Sequence, residues 1–215
     1  MSESIKISSS VSTANNIIAA QNRALFAAKK LSVFNMISSP GSGKTSILER
    51  MAHHYGASLA VVTGDIQTTF DADRLTKAGA TALQIETGGS CHLNAHMVAL
   101  ALSRISIDQK KLLVIENVGN LVCPAAFDLG EDFKVAVLSV TEGDEKPAKY
   151  PALFTRARAV IINKIDLLPY VKFNLDRVTE DIGKLNSGAK VFPLSATSGD
   201  GFEVWMNFCG GLGKT

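Results

Sequence analysis

Cysteine is scarce in this chain of 215 residues: there are 3, an odd number, at Cys91, Cys123 and Cys209, and no CxxC pair among them. That excludes a disulfide framework and leaves reduced thiols, which are either buried or available as ligands. A surplus of charge is also missing. The 22 basic and 20 acidic residues leave a net charge of +2, so no electrostatic footprint for nucleic acid is expected. With 46% apolar and 20% charged residues the composition is not that of a disordered chain. Long hydrophobic runs are absent too: none approaches the ~18 residues of a membrane span, so no membrane partner is expected. Residues Met1 to Ser12 are polar and serine-rich, without the basic and apolar regions of a signal peptide. A frayed start and a cytoplasmic location are the expectations.

What is present is an alternation. Apolar runs at Val33–Ile37, Ser58–Thr63, Leu83–Glu86, Lys111–Glu116, Lys134–Val140, Ala159–Asn163 and Lys190–Leu194 alternate with helical stretches. This implies an α/β fold with a mostly parallel central sheet and helices on both faces. No internal repeat is found, and the length suits one such domain. Residues 1–30 read as a tail and a leading helix from Thr13, with Ile17, Ile18, Ala20, Ala24, Leu25 and Ala28 near helical spacing. Residues 31–209 form the domain. Gly210 to Thr215 read as a flexible tail.

The stretch that organises the rest is Ser38-Ser39-Pro40-Gly41-Ser42-Gly43-Lys44-Thr45, between the first apolar run and a helix-like run from Ser46. It reads as a phosphate-binding loop in which Ser38 replaces the first glycine. Gly41 and Gly43 tolerate the tight backbone that turns N–H groups toward phosphate, with Pro40, Ser42 and Ser46 completing the cradle. Lys44 reaches the β- and γ-phosphates, and the Thr45 hydroxyl suits Mg²⁺.

Asn163-Lys164-Ile165-Asp166 follows an apolar strand, at the sheet edge where a base is read. The Asp166 carboxylate accepts hydrogen bonds only, matching the paired N1–H and amine donors of guanine that adenine lacks. GTP is therefore expected, with Lys164 across the base, Asn163 bracing the loop, and Ser195-Ala196 offering a backbone N–H to guanine O6. Asp65 and Glu116 end strands where Mg²⁺ can be reached. Glu116-Asn117-Val118-Gly119 resembles an Asp-x-x-Gly switch with glutamate in the acid's place, Gly119 following the γ-phosphate. Asp71 is a candidate for positioning water, with a solvated helix start as the alternative. No glutamine stands beside the switch, so slow intrinsic hydrolysis is expected.

Cys91-His92 and His96 fall at the start of a predicted helix, where His92 and His96 share a face, and Cys123 comes seven residues after Glu116. Thiolate and imidazole suit Zn²⁺ or Ni²⁺. Spacing alone leaves buried or incidental thiols open.

Six segments, SSPGSGKT (38–45), GDIQTTFDADRL (64–75), CHLNAHM (91–97), ENVGNLVCPAAFDLGE (116–131), TEGDEKPAKYP (141–151) and NKIDLLPY (163–170), closely resemble the HypB family of hydrogenase nickel-incorporation GTPases. The resemblance implies a SIMIBI-type G domain and a metal site of Cys91, His92 and Cys123, with His96 as a further ligand. It also implies nickel as payload with zinc able to occupy the site, a homodimer formed with GTP, and the nickel accessory protein HypA and a hydrogenase large-subunit precursor as partners. Lys149, like Lys146 in the same loop, would reach the partner's nucleotide. Residues 1–30 contain neither Cys nor His, so high-affinity nickel storage by this chain is not expected. A urease-type nickel accessory GTPase, a P-loop small-molecule kinase and a nucleotide-gated scaffold with merely buried thiols are the rival readings.

Overall fold

The computed structural model describes residues 7–65 and 70–213. The expected loop after Asp65 and the Asp65 side chain lie outside the described residues, as do residues 1–6. Among the described residues the chain runs α1 (Ile7–Ala28), β1 (Ser32–Ser38), α2 (Lys44–Tyr55), β2 (Leu59–Asp65), α3 (Phe70–Lys77), β3 (Thr81–Glu86), α4 (Ala95–Leu102) and β4 (Leu112–Glu116). It continues with α5 (Cys123–Ala126), β5 (Phe133–Ser139), α6 (Lys146–Lys149), α7 (Pro151–Arg156), β6 (Ala157–Asn163), α8 (Leu175–Leu185), β7 (Lys190–Pro193) and α9 (Phe202–Gly210).

Seven strands form one sheet in the order β3-β2-β4-β1-β5-β6-β7, and every pairing is parallel. All seven residues of β1 are buried, because helices cover both of its faces and the strand needs no polar side. On one face α2, α3 and α9 pack around Phe34, Met36, Val61, Val114 and Trp205. The opposite face splits into a half under α1 and α4 with Phe26, Val33 and Leu93, and a half under α7 and α8 with Phe154, Val160 and Ile182. The carboxyl ends of β1, β2, β4 and β6 therefore share one edge, where ligands of open parallel sheets bind.

Two terminal expectations are corrected. The leading helix begins at Ile7 rather than Thr13; the weak helix propensity of serine is overridden by the continuing helix. Its face differs as well. Ile17 is 58% exposed and Leu25 38% exposed, whereas the buried stripe is Asn15, Ala19, Asn22 and Phe26. The asparagines are buried because each has partners. Asn15 Nδ2 donates to Asp128 O (2.8 Å) and its Oδ1 accepts from Ala95 N (2.9 Å). Asn22 Nδ2 donates to Ala95 O and Leu129 O, both at 3.0 Å. Arg23 forks onto Asp128 at 2.7 and 2.8 Å. A Cβ on Gly130 would lie 2.7 Å from Ala19 O, so α1 rests against bare backbone there. At the other end, Leu212 packs on the core and its carbonyl accepts from Ser32 Oγ at 2.6 Å. Residues as far as Leu212 are thus part of the packed domain, not a tail.

Candidate functional site: a phosphate cavity beside a cysteine–histidine cluster

A cavity of about 530 Å³ opens at the carboxyl edge, lined by the phosphate loop, Gly64, Asp71, Arg74, Lys164 and residues 116–119. The loop turns through left-handed backbone at Gly41 (φ 76°) and Gly43 (φ 93°). Gly43 is required a second time, because a Cβ there would collide with the Asn163 side chain. Lys44 is buried and Nζ donates to Ser38 Oγ at 2.8 Å. The residue that replaces glycine thus meets the lysine. Thr45 Oγ1 donates to Glu116 Oε1 at 2.9 Å, placing two hard oxygens side by side at the cavity wall. A Cβ on Gly119 would lie 2.8 Å from Pro40 Cγ and 3.0 Å from its Cα and N. The segment after β4 is therefore in direct backbone contact with the phosphate loop.

The base-reading loop is clamped to the same cradle. Asn163 Nδ2 donates to Ser42 O (2.8 Å), its Oδ1 accepts from Ala196 N (3.1 Å), and Lys164 Nζ donates to Gly41 O (2.7 Å). Asp166 Oδ1 is buried without a hydrogen-bond partner. A buried acceptor left open costs about 1–3 kcal/mol unless a ligand supplies donors. The Ala196 N–H expected to meet guanine O6 is engaged by Asn163, and the Ser195 hydroxyl oxygen accepts from Thr197 N (3.2 Å) and Ser198 N (3.0 Å).

Across some 30 residues of sequence, Cys91-His92 and Cys123 bring their ligand atoms within 4.8 Å of one another. Cys91 Sγ lies 3.6 Å from His92 Nδ1. The His92 ring packs on Phe127 at 4.0 Å, and burial lowers its pKa, which favours the neutral imidazole that ligates metal. The neighbouring Cys123 thiol pushes the Cys91 thiol up; a cation there acts in the opposite sense. Asn120 ties the two loops, donating to Cys91 O (3.2 Å) and accepting from Val122 N (2.9 Å). The donor set of two thiols and an imidazole fits a borderline-soft divalent cation and not Mg²⁺.

Known proteins resemble most of the chain. Residues 32–193 match the family described as CobW/HypB/UreG, nucleotide-binding domain. The hydrogenase maturation factor HypB of Escherichia coli K12 is 49% identical over 196 residues, covering 90% of this chain and 68% of that protein. The chain belongs to the HypB family. Among solved HypB structures, that from Helicobacter pylori in complex with nickel superposes with a TM-score of 0.85 at 43% identity, covering 90% of this chain and 92% of that one. HypB from Archaeoglobus fulgidus gives 0.87 at 35% identity, covering 94% of this chain and all of the other.

Not every expected residue joins these two centres. His96 stands outside the Cys91–His92–Cys123 group. The reason is a helix boundary: α4 starts only at Ala95, with the Asn94 side chain accepting from Met97 N as its N-cap, so His92 precedes the helix and shares no face with His96. Lys149 is exposed and paired with Glu145 at 2.6 Å, outside the cavity lining. Asp71 lines the cavity, 3.8 Å from Arg74.

Residues that sequence reasoning missed in this HypB-family site are Arg74, Glu142 and Asn117. Arg74 lines the cavity and pairs with Glu49 at 2.6 Å. Glu142 accepts from Ser42 Oγ (2.5 Å) and from Ser139 N (3.1 Å), joining the TEGDEK loop to the cradle. Lys146 reaches Ser39 Oγ at 3.0 Å. The available signal was their membership of the segments that carry the family resemblance.

Proposed function

We propose that the protein is a GTP-hydrolysing switch that handles nickel during hydrogenase maturation and pairs with a second copy when GTP is bound. One observation carries this reading: the ligand atoms of Cys91, His92 and Cys123 converge within 4.8 Å, and Cys123 follows by seven residues the glutamate that meets Thr45 at the phosphate cavity. What is known of the relatives agrees with it, the E. coli protein being a hydrogenase maturation factor and the H. pylori structure holding nickel. Zinc suits the same donors.

Guanine is favoured by the open, buried Asp166 Oδ1, to which the base brings two adjacent donors. The adjacent Thr45 and Glu116 oxygens suit Mg²⁺, with Asp65 as a further candidate; the ion, when bound, neutralises charge on the β- and γ-phosphates. Lys44 exchanges its Ser38 contact for phosphate oxygen. Lys164 leans its stem along the base. Gly119, held against Pro40, offers its N–H to the γ-phosphate, so loss of that phosphate releases the segment leading to Cys123. Asp71 orients the attacking water; turnover by the isolated chain is slow and ordering by a partner accelerates it. Lys149 reaches the nucleotide of a second copy, His96 contributes at most at the edge of the metal centre, and HypA and the hydrogenase large-subunit precursor are the partners for delivery.

The test is nickel titration with GDP and with a non-hydrolysable GTP analogue, on the wild type and on Cys91→Ser and Cys123→Ser. Affinity that differs between nucleotides in the wild type, and falls at least ~10-fold in either variant, is expected. Equal affinities in both nucleotide states remove the coupling, and serine variants that bind like the wild type remove the cluster as the nickel site.

A further inference from the structure

Between the phosphate cavity and the metal cluster lies Asn117, 1% exposed, the residue after Glu116. Its N–H donates to Met36 O at 2.9 Å, fixing its backbone to the end of the central strand. Its Oδ1 accepts two backbone amides, Leu93 N and Val118 N, each at 3.0 Å. The first belongs to the residue after His92, and the second to the segment that carries Gly119 and then Cys123. Nδ2 donates to Asn35 Oδ1 (3.2 Å), Asn35 Nδ2 donates to Glu131 Oε1 (3.4 Å), and Glu131 Oε2 accepts from Leu129 N (2.7 Å). Asn35 is fully buried and Glu131 nearly so.

Each donor in this chain meets an acceptor, so reversing the Asn117 amide would set its NH₂ against two N–H donors and its oxygen against Asn35 Oδ1. The orientation is fixed by the network, and a satisfied buried network of this kind is stiff. Leu93 adds a second link: a Cβ on Gly64, in the cavity wall, would lie 2.8 Å from the Leu93 side chain. The cysteine–histidine loop therefore rests directly on the floor of the nucleotide site.

We propose that Asn117 is the positioning residue that couples the two centres, one buried oxygen shared by the amides of Leu93 and Val118. A shift of Val118 with the γ-phosphate then either carries Leu93, and with it Cys91-His92, or breaks one of the two bonds. Both sides of the ligand set respond to nucleotide, not Cys123 alone. The inference rests on the nickel-handling reading given above.

The experiment measures nickel affinity with GDP and with a non-hydrolysable GTP analogue, in the full chain, for the wild type, Asn117→Ala and Asn117→Asp. A wild-type ratio of ~5-fold or more is the range of ordinary allosteric coupling. Asn117→Ala should cut the ratio below ~2-fold, whereas Asn117→Asp, which still accepts both amides but loses the donor to Asn35 Oδ1, should keep a larger share of the wild-type ratio than Asn117→Ala. Equal affinities in the wild type overturn the coupling altogether. A coupled wild type whose ratio survives in Asn117→Ala overturns only the role of Asn117.

Should Asn117→Ala not fold, residue-resolved amide exchange on the nickel-free wild type decides. Leu93 is fully buried, so pairing with a second copy does not shield its amide directly. Its exchange rate should move by ~10-fold or more between the two nucleotide states, together with that of Val118. A Leu93 rate that stays constant while Val118 changes overturns the proposal.

Discussion

Replacing Asp166 by asparagine isolates the basis of nucleotide choice. In the folded chain Asp166 Oδ1 is buried without a partner, while the neighbouring Asn163 and Lys164 are clamped to the phosphate loop at 2.8 and 2.7 Å. The loop geometry therefore survives the substitution, and the change falls on the group proposed to meet the base. Hydrogen bonds to a charged partner are worth about 1.5–3 kcal/mol each, and guanine brings two donors. Counting one bond lost outright and one weakened, the loss is about 3 kcal/mol, or ~10²-fold in GTP affinity. The asparagine amide donates where the carboxylate accepted. Xanthine carries a carbonyl in place of the guanine amine, so Asp166→Asn should gain affinity for xanthosine triphosphate as it loses GTP. Displacement of a fluorescent guanine nucleotide, read with GTP and xanthosine triphosphate in parallel, reports both. GTP affinity within ~3-fold of the wild type would refute the reasoning, and so would a loss of GTP binding with no gain for the xanthine nucleotide.

Two further outcomes concern the leading helix. Asn22→Ala strips donors from Ala95 O and Leu129 O, costing about 2–4 kcal/mol if both carbonyls stay buried; thermal unfolding should drop by ~5–15 °C, and a drop under ~2 °C would mean water reaches them. Burial alone would raise the Asp128 carboxyl, but its bonds to Arg23 and Gly130 N–H outweigh that and hold it below the usual value. A depressed carboxyl stabilises the fold above its unfolded pKa of ~3.9 and loses that contribution as pH falls through the lower folded value. The pair is about half exposed, so Asp128→Asn should lower the melting temperature by only ~1–4 °C at pH 7 and by less near pH 2. An equal effect at both pH values would contradict the assignment.

The elements that sequence made legible are those whose physics is local. Gly41, Gly43, Lys44 and Thr45 declare a phosphate cradle because its backbone needs left-handed residues between a strand and a helix. The continuous apolar runs declare a sheet covered twice, as β1 shows. The α1 face was illegible because periodicity equates burial with apolar character, while Asn15 and Asn22 are buried through bonds to Asp128, Ala95 and Leu129. The helix carrying His96 begins at Ala95, two residues later than expected, which leaves His92 in the preceding loop. Asn117 and Glu142 act through partners 24 and 100 residues away, a relation that no window along the chain contains.

The asparagine clasp of α1 has a mechanical consequence. Ala95 lies just beyond the Cys91-His92 loop and Asp128-Leu129 just beyond the α5 turn that holds Cys123, and α1 grips all three. Two jaws pinned to one rod at their roots can open only at their tips. In the switch proposed above, the travel open to the thiols would be set by the few residues between those pins and the sheet, with α1 as the rod that holds both roots in place.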